Sequence, residues 1–377
     1  MFSLRICRLA FSLSALLCTA VSAQNKPAQN KPLFTSPLPT GVRLDPAGEA
    51  VDLGSLPINL VLTPEKNRAV VVLSGWREQG LQVVDLKTRK VTQTVLQDGA
   101  FYGAAFSPDG HRLCVSGGNT DLLFVYAWKD GAATLENKFE LAKAKTADGT
   151  GTSYPAGLAF SANGKFLYVA EDVGDRLAVV NAATGEITQR FSTDHYPYGV
   201  ALTADGQVFV SAWGGSTVSQ FRVRADGTLV YLGRIEVGRH PSALVVRGTK
   251  LYVTLAGSDR VAVVDTKLRK VARYLHDAAP GAPPEGSTPN ALGFSSDGKR
   301  LLVAEADNNA VATFDVATGK VLGRAFPPTG IPPRSPKQGM NSSSSAAKDT
   351  ALMPIPMVPY RSPTGRTGTP RRTRSDS

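Results

Sequence analysis

The residues in this sequence whose types could do chemistry gather at recurring places. His195 and His240 fall at matching positions of a repeated phrase, Arg239 stands beside the second, and Glu171 closes an apolar run. A neutral imidazole takes a proton from water near neutral pH, and a carboxylate or guanidinium can orient or polarise a reacting group. Aromatic and acidic side chains accompany them at the same places: Trp76, Tyr102, Tyr154, Asp172, Tyr196, Trp213 and Glu305, with Arg77, Asn119 and Asp307 nearby. Such groups converging on one concavity would make a ligand site. Against this stands the plain fact that strand ends meeting water are polar and aromatic in any protein of this build.

Sharper chemistries are poorly served. Two histidines with Glu171 or Glu305 could ligate a metal, but no HxH or HExxH spacing accompanies them, so no metal and no cofactor is expected. The stretch Glu305-ADNN lacks the glycine and distal glutamate of a calcium loop. Asp148-GTGTS lacks the Lys-Ser/Thr of a phosphate loop. There is no nucleophile elbow and no paired cysteine. Tyr154 and Tyr196 each precede a proline, which marks a packed repeat start more than a proton donor. His111 and His276 sit beside turns and are expected in water.

The elements that would position these residues repeat. A short apolar strand, a turn and a second strand recur as Pro57-INLVLTPEKN, Phe101-YGAAFSPDG, Pro155-AGLAFSANG, Pro197-YGVALTADG, Pro241-SALVVRGTK and Pro289-NALGFSSDG, spaced by 42 to 54 residues. Asp-Gly and Asn-Gly supply the positive φ angles of tight hairpins. Second strands follow at Val70-VVLSG, Leu113-CVSGG, Leu167-YVAED, Val208-FVSAW, Leu251-YVTLA and Leu301-LVAEA, and then third strands such as Val261-AVVDT. A weaker fourth, such as Glu186-ITQRF, alternates polar and apolar residues as an outer strand should. A period of this length with four strands predicts an all-β fold, a β-propeller of four-stranded antiparallel blades. In it, the loops into strand one and out of strand two open on one face around the central channel. The candidate residues named above all lie in those loops.

The phrases Ser107-PDG, Leu167-YVAE, Leu251-YVTL and Val261-AVVD resemble the YVTN β-propeller family over about residues 41–324. The repeat resembles in particular the propeller half of exported bacterial proteins that join such a propeller to a phosphoesterase domain. That resemblance implies an accessory module whose catalytic domain this chain lacks. The repeat pattern is also similar to propellers of the 6-phosphogluconolactonase type. This second resemblance implies a lactonase in which His195, His240, Arg239 and Glu171 would activate water and polarise the lactone carbonyl.

The ends differ from the body. Residues 1–23 carry Arg5 and Arg8, an apolar run too short to span a bilayer comfortably, and the small-residue site Val21-Ser22-Ala23. They are read as a signal peptide cut after Ala23, giving a periplasmic or secreted protein without a transmembrane segment. Residues 24–40 are a linker and 41–325 the propeller. Val42-RLD and Ala50-VDLG resemble strands three and four of a repeat whose first half should return from the C-terminus. Instead residues 326–377 form a Pro/Ser/Arg-rich tail without strand or helix period, expected to be disordered. The expectation is therefore six full repeats plus the N-terminal hairpin of an incomplete seventh blade, with a shift of reading frame near Phe326 as one explanation. A genuine six-bladed propeller with a natural tail is the alternative.

The net charge of +11 resides mainly at these ends, leaving about +3 on residues 24–333, so a nucleic-acid partner is not expected. Cys114 alone remains after cleavage, in an apolar strand, as a buried thiol. The sequence thus favours an exported monomeric module that binds a small molecule or a protein at the propeller face, with the lactonase as the enzymatic alternative.

Overall fold

The structure is a computed structural model that describes residues 51–143, 151–278, 286–308 and 310–325. All of them belong to one compact unit, residues 46–377. The signal peptide, the linker and the tail expected from the sequence lie outside the described residues, as do residues 42–50 of the expected N-terminal hairpin.

Among the described residues, twenty-four strands form six antiparallel four-stranded sheets, each from consecutive strands. Blade one holds β1 Pro57–Leu62, β2 Arg68–Ser74, β3 Gln79–Asp85 and β4 Lys90–Leu96. Blade two holds β5 Ala104–Phe106, β6 Arg112–Ser116, β7 Leu122–Lys129 and β8 Ala132–Glu140. Blade three holds β9 Pro155–Phe160, β10 Phe166–Glu171, β11 Arg176–Asn181 and β12 Ile187–Ser192. Blade four holds β13 Pro197–Leu202, β14 Gln207–Ala212, β15 Thr217–Val223 and β16 Leu229–Glu236. Blade five holds β17 Pro241–Arg247, β18 Lys250–Leu255, β19 Arg260–Asp265 and β20 Lys270–His276. Blade six holds β21 Pro289–Phe294, β22 Arg300–Glu305, β23 Ala310–Asp315 and β24 Val321–Ala325. Among the described residues no helix is long and apolar enough to cross a membrane.

The turn between the first two strands shows why its motif recurs. Ser107 Oγ accepts from the Arg112 N–H and donates to Asp109, Asp109 accepts from the His111 N–H, and Gly110 takes φ +76°. Ser161-Asn163-Gly164, Thr203-Asp205-Gly206 and Ser295-Asp297-Gly298 repeat the arrangement. A hydroxyl, a carboxyl or amide, and a glycine in the left-handed region together close the hairpin.

Middle strands are buried on both faces. Val70, Val72 and Leu81 of blade one meet Leu113, Val115 and Phe124 of blade two, and four further cores join each blade to the next as far as blade six. The innermost strands approach so closely that a Cβ on Gly103 would lie 2.1 Å from the Ala156 carbonyl oxygen, and one on Gly157 2.2 Å from that of Tyr198. Asn59, at the same place in blade one, reaches across to donate to the Tyr102 carbonyl instead.

Among the described residues no apolar core joins blade six to blade one. Leu302 and Val311 of blade six are only half-buried, whereas Tyr252 and Val261 at the matching places of blade five are buried against their neighbour. The outward face of blade one, Val71, Leu73 and Val84, is packed by Val51 and Leu53. Residues 51–54 lie there without forming a strand.

Candidate functional site

Strand one pairs at its start with the end of strand two, so both loops open on one face of the ring, as expected from the repeat. Two sets of residues circle that mouth. The residue before the strand-one proline is Leu56, Tyr154, Tyr196, His240 or Thr288, each with φ between +47° and +54°. Its carbonyl accepts from the N–H of a residue at or just past the end of strand two: Ser74, Asp172, Trp213, Ala256 or Ala306. A left-handed, non-glycine residue before proline is strained. Recurring in five blades, it belongs to the repeat. His240 is thereby the equivalent of Tyr196, and His195 that of Arg239, one residue out of step with the sequence reading.

In the second set Asp172 is the charged member, beside serine, tryptophan and alanines. Only 9% of it is exposed, and no described hydrogen bond reaches its carboxylate. Burial, reinforced by the Asp175 charge, pushes its pKa up to about 7. Beneath it the channel is aromatic. Tyr102 of blade two and Tyr198 of blade four meet with ring centroids 4.3 Å apart, although blade three lies between theirs in the chain. Phe101 stands edge-on to both Tyr154 and Tyr198. Burial raises the Tyr102 hydroxyl to about 12 and Tyr198 well above its ordinary value, the latter helped by Tyr102, Asp172 and Tyr154. Both phenols therefore stay protonated and can donate.

The other candidates divide. His195 is exposed on the rim, its Nδ1 2.9 Å from Asp175 Oδ2, while Asp175 Oδ1 accepts from the Tyr196 N–H. His240 Nδ1 lies 2.7 Å from the Trp213 carbonyl oxygen, its ring 5.1 Å from the indole, and Arg239 donates to the Gly257 carbonyl. These form a second ledge on blades four and five.

Glu171 and Glu305 point away from the mouth. Glu171 is fully buried between Arg176 Nε at 2.9 Å and Arg190 Nη2 at 3.0 Å, and accepts from Ser153. Arg190 also donates to the Leu141 carbonyl of blade two, so the pair latches neighbouring blades. Glu305 is held likewise by Arg324 and Asn308. Trp76 stands fully in water on blade one, and Tyr196 is exposed over Gly214.

Among the described residues no group of three or more His, Cys, Asp or Glu is placed to hold a metal. Sequence reasoning missed Tyr198, Phe101 and Asp175. The second place of the phrase, Tyr in both Phe101-Tyr102 and Pro197-Tyr198, was the signal available for the first.

Residues 82–322, more than half of the chain, match the family described as Lactonase, 7-bladed beta-propeller. The chain belongs to this family. The family count of seven blades compares with six described here, which is compatible with an incomplete seventh. No curated protein sequence matches the chain.

Among solved structures the chain is similar to a periplasmic gluconolactonase from Pseudomonas aeruginosa (18% identity, TM-score 0.58, covering 72% of this chain and 85% of that one). It is similar also to a putative 6-phosphogluconolactonase from Bacteroides uniformis (17%, 0.58, 72% and 85%). A third is hydrazine synthase from Kuenenia stuttgartiensis (18%, 0.58, 77% and 89%). At these identities the likeness is one of fold.

Proposed function

We propose that this lactonase-family propeller hydrolyses a lactone at the mouth of its channel, with Asp172 as general base. The observation that carries the reading is Asp172 itself: the charged member of its set, buried, and with a pKa near the pH at which it would work. The carboxylate takes a proton from water as that water's oxygen adds to the lactone carbonyl. The protonated Tyr198 and Tyr102 hydroxyls are suited to hold the resulting oxyanion. The ring C–O bond then breaks, and the alkoxide recovers the proton from Asp172, leaving a hydroxy acid. His195 with Asp175, and Arg239 with His240, stand on the rim to orient substrate. Glu171, committed to two guanidinium partners, serves the scaffold in this scheme.

The gluconolactonase likeness suggests D-glucono-1,5-lactone as first substrate, followed by acid release after subtraction of the spontaneous rate. Wild type should accelerate ring opening, and Asp172→Asn should lower kcat by roughly 10²–10⁴-fold. Equal rates for the two would sink the assignment.

A second reading, binding without chemistry, is favoured by Trp76, which is 99% exposed on the mouth face. Ligand binding with no turnover of any lactone would select it. In either case we place the protein outside the cytoplasm, periplasmic or secreted. The composition of residues 1–23 supports this, and the Pseudomonas relative is described as periplasmic.

A further inference from the structure

The second place of the repeated phrase holds Ile58, Tyr102, Ala156, Tyr198, Ser242 and Asn290 in successive blades. In five blades the pairing of strands one and two shifts register at this place: at Pro57/Asn59, opposite Val169/Glu171, and at Pro197/Val200, Pro241/Leu244 and Pro289/Ala291. A bulge turns its residue out of the ladder and re-aims the side chain. The direction is visible in Tyr102 and Tyr198. They come from blades that are not neighbours, yet their rings lie 4.3 Å apart, and only the channel between innermost strands allows that meeting.

Ser242 Oγ lies 2.8 Å from Thr254 Oγ1 on its own blade. Asn290 differs. It is 3% exposed, and neither its Nδ2 nor its Oδ1 has a hydrogen-bond partner. A buried amide left unbonded on both sides costs folding energy, and such a group points to a function or to a guest that completes it. It stands three blades on from Ala156, at the place in the repeated phrase that Tyr198 occupies in blade four.

We propose that Asn290 is a ligand-contacting residue at the throat of the channel. Its amide offers one donor and one acceptor to a neutral hydroxyl-bearing ligand. This rests on the lactone reading of the mouth and extends it: Asp172 acts on the carbonyl end, and Asn290 reads a hydroxyl farther in. A site built to hydrogen-bond a hydroxyl discriminates against the analogue lacking it, because its own polar groups are then left unpaired.

The test is calorimetric titration of D-glucono-1,5-lactam, which keeps the hydroxylated ring but resists opening, into wild type, Asn290→Leu and Asn290→Ser. Thermal melts are recorded on the same samples. Serine is the natural occupant of this place in blade five, so that variant guards against misfolding. The expected result is binding by wild type, weakened about tenfold in both variants, with Asn290→Leu melting at the same temperature or higher, since an unbonded amide has been exchanged for an apolar group of similar shape. Unchanged affinity in the variants, or no binding by wild type, overturns the proposal. So does a melting temperature lowered in both variants, which would assign the amide to the scaffold. Lactam binding of the expected pattern without turnover of any lactone would sink the hydrolase reading and leave Asn290 standing.

Discussion

Arg324 Nε lies 2.6 Å from Glu305 Oε1 in a buried pair, and the equally buried Asp277 carboxylate beside them lies 3.9 Å from Arg324 Nη2. Blade three has the same latch with Leu141 in place of Asp277 and two guanidiniums on Glu171. The seam of blades five and six therefore holds one carboxylate more and one cation fewer. Burial, then the Glu305 charge, raise the Asp277 pKa to about 9, with Asp259 adding and Arg324 opposing. The folded chain thus keeps a proton that the unfolded chain releases in the ordinary carboxylate range. Stability from this group is fully present below that range and is lost progressively as pH rises to about 9. Asp277→Asn should raise the melting temperature at neutral pH by about 2 °C or more, and the gain should widen from pH 4 to 9. A gain independent of pH would show that Asp277 titrates normally.

The Asp175 carboxylate bonds His195 and the Tyr196 N–H, and its charge is the second cause of the raised pKa of Asp172. Asp175→Asn should therefore lower the pKa of Asp172. If Asp172 is the base, the acid limb of kcat/KM, expected near pH 7, should move to lower pH in this variant. A limb that stays in place would point to another titrating group.

Glu171 tests the latch. Glu171→Ala takes the buried carboxylate from two guanidiniums that are each about a third exposed, and losing charge-assisted hydrogen bonds of this kind costs about 1.5–3 kcal/mol. The Lys138–Asp98 pair is shorter, at 2.6 Å, but both side chains are well exposed. Lys138→Ala should cost less than about 1 kcal/mol. Urea unfolding of the two variants checks the contrast, and equal costs would mean that the blade seam is open to water.

Gly157 and Gly323 test the ring. A Cβ on Gly157 would meet the Tyr198 carbonyl oxygen at 2.2 Å, whereas one on Gly323 meets nothing within 4 Å. Gly157→Ala should destabilise by about 1–3 kcal/mol through overpacking, and Gly323→Ala by far less. Comparable melting temperatures would show that the innermost strands can move apart.

The sequence by itself determined the blades. Ser107-Pro108-Asp109-Gly110 and its copies carry their own turn in a few adjacent residues. The apolar runs of the second and third strands need only their two-residue period and a period of one blade to predict stacked sheets. The chemistry was legible as a list of loop residues but not as an arrangement. Nothing near Glu171 announces that it is spent on Arg190, nineteen positions on, or near Asp172 that it is buried and bare while its neighbour Glu171 is paired. Tyr102 and Tyr198 meet although a whole blade separates theirs in the chain, and Asn290 stands unbonded although a bulge of the same kind leaves Ser242 bonded to Thr254. Turns and strands come from short-range stereochemistry, which the order of residues states directly. Burial of a charge and the meeting of distant rings depend on side chains brought together from different blades, and only the packing of each blade on the next decides them.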